Sequence, residues 1–140
     1  MSSPVNSPVN SPVNSAVRNS EMTPVCRVDE IEPEGGVTAL VAGRAVAVFK
    51  TYDGTVLALA NYDPFSHASV LARGIVGTLE REGRTIDFVA SPMHKQRFDL
   101  RTGRCLDDEA VRVASYEVRV EGGQVLVGGP LEGPDEGDGA

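Results

Sequence analysis

Two short segments, far apart in the sequence, hold the side chains that could do chemistry. Residues 61–68 offer the carboxylate of Asp63, and residues 91–95 offer the imidazole of His94. Together they could give a metal ion one oxygen and one nitrogen ligand. A stable site needs three or more ligands with supporting contacts, and no third candidate has a suitable spacing. Phosphate-binding loops, dinucleotide fingerprints and nucleophile elbows are missing from the sequence, so it predicts no catalytic residue.

The second segment continues into an apolar–polar alternation and a Thr-Gly turn, and the whole stretch resembles a cluster loop of Rieske iron–sulfur proteins. In that family a Cys-Pro-x-His-Gly loop leads into an x-x-Phe-Asp-x-x-Thr-Gly hairpin. The matching positions here are Pro92, His94, Phe98, Asp99, Thr102 and Gly103. Ser91 and Lys95 stand where the family has Cys and Gly.

The companion loop of that family runs Cys-Pro-His, and its counterpart here is Asp63-Pro64-Phe65. The resemblance therefore places Asp63, Phe65, Ser91 and His94 at the four cluster positions. A Rieske centre binds one iron through two thiolates and the other through two imidazoles. Only His94 matches, so we expect no cluster and no metal. We expect the Asp63 carboxylate to cap backbone donors, His94 to make a hydrogen bond within its loop, and the Phe65 ring to fill part of the cluster volume.

A Rieske scaffold without its ligands, but with the surrounding motifs, is similar to the small subunit of NAD(P)H-dependent assimilatory nitrite reductase. The motifs are Asp-Pro-Phe-Ser, Arg-Gly-Ile-Val-Gly and Phe-Asp-Leu-Arg-Thr-Gly-Arg-Cys-Leu. The resemblance implies a subunit without a cofactor, which supports reduction of nitrite to ammonium by a large subunit carrying FAD, an iron–sulfur cluster and sirohaem. Two alternatives stay open: a general protein-interaction module on a degenerate Rieske fold, and a Rieske-type electron carrier, which would need all four ligands.

The charge distribution suggests where a partner would bind. The chain has a formal net charge of −7, yet residues 73–104 contain seven basic and four acidic residues. We therefore expect Lys95, Arg97 and Arg101, which lie in or near the second loop, to contact the large subunit. The alternative is that Arg97 and Arg101 form surface pairs with Asp99, which lies between them. Nucleic acid is an unfavourable partner for so acidic a chain.

Short β-rich runs between glycine-containing turns predict an all-β fold. Residues 37–42 and 45–50 are separated by Gly43-Arg44, and residues 116–120 and 124–127 form a closing hairpin. About nine short strands are expected, and the glycines of residues 71–77 argue against a helix there. The pattern alone indicates an antiparallel β sandwich or small barrel. The resemblance refines this to a Rieske-like antiparallel β sandwich with a small loop-bearing subdomain.

Both ends of the chain have a composition typical of disorder. Residues 1–22 contain three Ser-Pro-Val-Asn repeats, residues 131–140 are rich in Gly, Asp and Glu, and residues 23–130 form the predicted domain. The sequence has neither a membrane-length apolar run nor a signal peptide, which predicts a soluble, cytoplasmic protein. Cys26 and Cys105 lack metal-site or redox-pair spacing, so we expect reduced thiols, buried or half-buried.

Overall fold

The computed structural model describes residues 22–132, so the Ser-Pro-Val-Asn repeats and most of both predicted tails lie outside the described residues. Two 3₁₀ helices, Val28–Glu30 and Leu71–Arg73, are present, and no helix in the described range is long and apolar enough to cross a membrane. The strands are β1 Thr23–Arg27, β2 Gly36–Val41, β3 Arg44–Lys50, β4 Val56–Ala60, β5 Tyr62–Asp63, β6 Ala68–Ser69, β7 Ile75–Arg81, β8 Arg84–Ala90, β9 Arg97–Asp99, β10 Ser115–Glu121 and β11 Gln124–Glu132.

Six of these strands form one antiparallel sheet in the order β1-β11-β10-β4-β3-β2. The centre of the sheet is apolar on both faces, because all four residues of Val46–Phe49 in β3 are completely buried. In the neighbouring strand Ala60 pairs with Val46 and Ala58 with Val48. An unbroken apolar run of this kind is typical of a strand that is covered on both sides. The last strand, β11, extends to Glu132, two residues past the predicted domain end.

The β2–β3 hairpin corrects the predicted turn by one residue. Val41 pairs with Arg44, so the two turn residues are Ala42 and Gly43, not Gly43 and Arg44. Both have positive φ, 51° at Ala42 and 83° at Gly43. A two-residue turn that matches the strand twist needs positive φ at both positions, which glycine tolerates best in the second.

A smaller subdomain is inserted between β4 and β10. It contains the three-stranded sheet β7-β8-β9 and the two-stranded sheet β5-β6. The 3₁₀ helix Leu71–Arg73 contradicts the expectation that residues 71–77 lack helical structure. Asn61 fixes its start, because the Asn61 side-chain oxygen accepts a hydrogen bond from the Ala72 backbone N–H at 2.7 Å. The predicted division into a large base sheet and a loop-bearing subdomain is confirmed.

One hydrophobic core joins the two parts. Phe49 and Leu59 of the large sheet belong to the same buried cluster as Val89 and Phe98 of the small sheet. The Thr-Gly turn after β9 needs its glycine: Gly103 has a φ of 81°, and an added Cβ would lie 2.0 Å from the Val113 carbonyl oxygen. The turn therefore packs directly against the segment that returns to β10.

Candidate functional site

The two loops predicted from the sequence meet at a buried hydrogen bond between Asp63 and Ser91. Asp63 ends β5 and is completely buried. Its Oδ1 accepts a hydrogen bond from the Phe65 backbone N–H at 2.8 Å, and its Oδ2 accepts one from the Ser91 hydroxyl at 2.5 Å. The carboxylate therefore caps its own turn and also ties the first loop to the second. These are the two positions where the Rieske family has its cysteines.

The second loop closes on itself around Ser91. The Lys95 backbone N–H donates to the Ser91 carbonyl oxygen at 3.0 Å, and the Ser91 N–H donates to the Gln96 carbonyl oxygen at 2.9 Å. The Ser91 hydroxyl also accepts a bond from the Met93 N–H at 3.2 Å. Lys95 has a φ of 68°, in the left-handed region that glycine favours. The loop thus keeps the conformation for which the Rieske motif has Gly, although Lys stands there.

An aromatic contact lies at the third cluster position. Phe65 is half-buried and packs on the hydrophobic core. Its ring centroid lies 6.2 Å from that of Phe98, at a tilt of 50°. Aromatic pairs favour such offset arrangements, which add to the stabilisation from buried area. Phe65 therefore contributes apolar packing where the family has an imidazole ligand.

His94, the one matching ligand type, is exposed. The hydrogen bond expected for it within the loop is not formed, since its ring has no hydrogen-bond or ion-pair partner among residues 22–132. The loop is held by the Ser91 contacts and leaves the imidazole facing solvent.

The donor set does not fit a Rieske cluster. A carboxylate, a phenyl ring, a hydroxyl and one imidazole occupy the four positions, whereas the cluster needs two thiolates and two imidazoles. The Asp63 carboxylate and the Ser91 hydroxyl already form a hydrogen bond with each other. Within the described part of the chain, no group of three or more His, Cys, Asp or Glu side chains could hold a metal ion. Cys105 is buried and Cys26 half-buried, both as free thiols, as predicted.

The basic residues near the second loop differ in whether they form ion pairs. The Arg97 guanidinium forms an ion pair with Asp107 at 2.7 Å and lies 5.9 Å from the centroid of the Phe88 ring. Arg101 pairs with the buried Asp87 at 3.3 Å. Pairing with Asp99, the alternative drawn from the sequence, is therefore wrong for both residues. The Asp99 carboxylate instead accepts the Arg101 backbone N–H at 2.8 Å. The exposed Lys95 ammonium has no ion-pair partner in residues 22–132.

The Arg97–Asp107 pair makes stability depend on pH. Hydrogen bonding to the Arg97 side chain, above all, lowers the pKa of Asp107. A lowered carboxyl pKa in the folded state means that the contribution is present above the unfolded-state pKa and is lost as pH falls through the folded-state pKa. Because both side chains are 35% exposed, solvent screening limits the gain to that of a surface pair.

Replacing the Asp107 carboxylate is expected to lower the unfolding free energy slightly at neutral pH and to have no effect in acid. Asp107→Asn should lower the unfolding free energy at neutral pH by up to about 1 kcal/mol. The difference from wild type should shrink in acid, as the pH falls through the lowered folded-state pKa of Asp107. Urea unfolding at neutral and at acid pH measures it. Asp29→Asn is the control, because Asp29 is highly exposed and lies 3.7 Å from its partner Arg27. A deficit of the same size at both pH values would contradict the assignment.

Comparison with known proteins relates these loops to a family. Residues 21–128 match the Rieske-like [2Fe-2S] domain family. The nitrite reductase (NADH) small subunit of Escherichia coli K12 is 43% identical over 111 residues, covering 79% of this chain and 99% of that protein. The NMR structure of the E. coli protein NirD is 43% identical, with a TM-score of 0.68, and the match covers 77% of this chain and 96% of that one. The predicted Rieske-like fold is confirmed.

A second relative has a different organisation. The nitrite reductase [NAD(P)H] large subunit of Klebsiella oxytoca is 39% identical over 104 residues. These residues make up 74% of this chain but only 10% of that protein. A domain similar to this chain therefore occurs inside a polypeptide that is much longer.

Proposed function

Because the chain belongs to the family of Rieske-like nitrite reductase small subunits, we propose that it acts in an NAD(P)H-dependent assimilatory nitrite reductase, beside a large subunit that reduces nitrite to ammonium. The observation that supports this proposal is that the Klebsiella large subunit contains a domain similar to this chain. Covalent linkage keeps two parts at a high effective concentration, so separate chains with the same task need a binding surface. This relationship favours the subunit over a general interaction module.

The division of chemistry that we propose between the subunits is the one that the family resemblance implies. FAD, an iron–sulfur cluster and sirohaem belong to the large subunit, and this chain carries no cluster and no catalytic residue. The Asp63–Ser91 hydrogen bond supports that assignment, because it joins the side chains that would have to be thiolates. The role of the small subunit is then to bind and position its partner. A cytoplasmic location agrees with the two free thiols.

The second loop is the proposed contact surface. Lys95 is an exposed cation in a left-handed conformation, which costs about 1–2 kcal/mol for a residue with a side chain. Backbone strain of this kind is concentrated at functional positions. Met93 beside it is 55% exposed, and Ile75, which pairs with Ala90 just before the loop, is 70% exposed. In this proposal Lys95 is the central charge of the surface, and Arg97 and Arg101 are further contacts.

Reversing the charge of Lys95 tests the interface. Lys95→Glu should weaken binding to a nitrite reductase large subunit at low salt by about tenfold, or 1.4 kcal/mol. Most of the loss should be in the association rate and should diminish as salt is added, because interface charges steer encounter. Lys50→Glu is the matched control, since Lys50 ends β3 and is the other lysine of the chain. Stopped-flow or surface-plasmon measurements give the rates.

A glycine variant separates strain from charge. Lys95→Gly should weaken binding while raising the unfolding free energy by up to about 1 kcal/mol, because glycine adopts positive φ without steric cost. Unchanged binding by both folded variants would place the interface elsewhere. A wild-type chain that does not bind the large subunit at all would overturn the proposed function itself.

A further inference from the structure

A pocket lined by arginines lies on the small subdomain, outside the loops at the cluster positions. Its volume is about 310 Å³. Three arginines from different segments reach it: Arg81 at the end of β7, Arg84 at the start of β8, and Arg104 after the Thr-Gly turn. The remaining lining residues are Ile86, Asp99, Cys105, Leu106 and Glu109. We call this feature the arginine pocket, and we propose that it binds the phosphate group of a small-molecule ligand.

Two arginines of this pocket lack the ion-pair partners that several other arginines of the fold have, whereas the third, Arg81, interacts electrostatically with Asp107. Arg97, Arg101 and Arg119 each lie within 4 Å of a carboxylate. Arg84 and Arg104 form no such pair with any described residue. The guanidinium of Arg81 makes a long hydrogen bond, 3.5 Å, to the Leu106 carbonyl oxygen. The guanidinium donors of Arg84 and Arg104 therefore remain available to a ligand.

The positive charges of Arg81 and Arg84 lie close together, which lowers the stability of the fold. Arg81 and Arg84 are directly opposite each other in the β7–β8 pairing, and like charges at such positions repel. The acids Asp99 and Glu109 also line the pocket, so three basic and two acidic side chains leave its lining with a net positive charge. An anion between the guanidinium groups would remove the repulsion.

The uncharged part of the lining favours an oxyanion. Ile86 and Cys105 are buried, and burial raises the pKa of the Cys105 thiol, which keeps the sulfur neutral at physiological pH. An uncharged, partly apolar floor strengthens the interaction between guanidinium and anion. Guanidinium groups bind phosphate through pairs of parallel N–H donors, and several of them can share its oxygens. A concave site with this rim therefore fits a phosphate group better than a flat protein surface.

Titration of the full-length chain with inorganic phosphate, with ADP and with acetate, at constant ionic strength, tests the proposal. Nuclear magnetic resonance should show saturable shifts centred on Arg81, Arg84 and Arg104 with phosphate or ADP, and at least tenfold weaker binding of acetate. Tighter binding of ADP would identify a nucleotide ligand, and equal binding would identify free phosphate. Shifts that do not saturate, or equal responses to acetate, would overturn the proposal.

Variants separate the pocket from general surface charge. Arg84→Gln should weaken phosphate binding about tenfold, and it should leave the fold intact, because the substitution removes a repulsion. Arg119→Gln is the control, since Arg119 lies near Glu117 and Glu121 on β10. Phosphate should raise the melting temperature of the wild type and of Arg119→Gln but not of Arg84→Gln. An equal loss of binding in both variants would also overturn the assignment.

Discussion

After anaerobic reconstitution with iron and sulfide, the wild-type chain is expected to contain no stoichiometric iron or acid-labile sulfide. Three of the four cluster positions hold Asp63, Phe65 and Ser91, and none of these supplies a ligand that a Rieske centre uses. The variant Asp63→Cys/Phe65→His/Ser91→Cys, with native His94, should bind two irons per chain. The side chains of Asp63 and Ser91 already meet, as two thiolates on one iron must.

Iron and sulfide analysis and electron paramagnetic resonance of both proteins provide the measurement. The triple variant serves as the positive control for the reconstitution, and its circular dichroism shows whether it is folded. Two irons per wild-type chain with a Rieske-type signal would contradict the prediction and would restore the electron-carrier alternative. Iron bound by the variant alone would show that side-chain identity, and not loop geometry, separates this chain from cluster-bearing relatives.

The features that the sequence predicted well are those set by local chemistry. Residues 45–50 lie in a strand as predicted, because their run of apolar residues has no breaker. The Thr102-Gly103 turn forms as expected, and its glycine has positive φ. The cap at Asp63 is also local, since its acceptor and the Phe65 donor are two residues apart. Such contacts require only the residue types and their spacing.

Strand β7 was not predicted because its stability comes from pairing. Gly77 interrupts the apolar pattern, so neither a strand period nor a helix period is visible in the sequence. In the structure, Ile75 at the start of this strand is 70% exposed. All seven residues of Ile75–Arg81 nevertheless pair with β8. Tertiary context overrides intrinsic preference in strands more than in helices.

Contacts between distant segments could not be predicted from the sequence either. Ser91 and Asp63 are 28 residues apart, and only the packing of the two loops brings the hydroxyl to the carboxylate. Arg97 similarly pairs with Asp107, ten residues later, because the chain folds back after the Thr-Gly turn. The sequence identified the nearer Asp99 as a partner, since spacing along one strand does not show which groups a returning segment brings close.

Removing the Asp63 carboxylate is expected to be the most destabilising single change in the two loops. Asp63→Ala should lower the unfolding free energy by about 3 kcal/mol, because the Phe65 N–H and the Ser91 hydroxyl lose their charged acceptor in a buried site. For a domain of this size the melting temperature should fall by roughly 10 °C or more. Asp63→Asn should cost less, since its amide oxygen can still accept the Phe65 N–H.

A double-mutant cycle isolates the contact between the loops. Ser91→Ala leaves a buried carboxylate oxygen without its donor, so it should also destabilise the fold, and Asp63→Ala with Ser91→Ala should cost less than the sum by at least about 1 kcal/mol. Asp108→Ala is the matched control, because Asp108 also caps a turn, accepting the Ala110 N–H at 3.1 Å, but is exposed. Additive losses, or a loss from Asp63→Ala no larger than from Asp108→Ala, would show that the loops do not depend on this hydrogen bond. A large coupling would mean that a carboxylate and a hydroxyl now join the loops at the two positions where thiolates bind iron in cluster-bearing members of the fold.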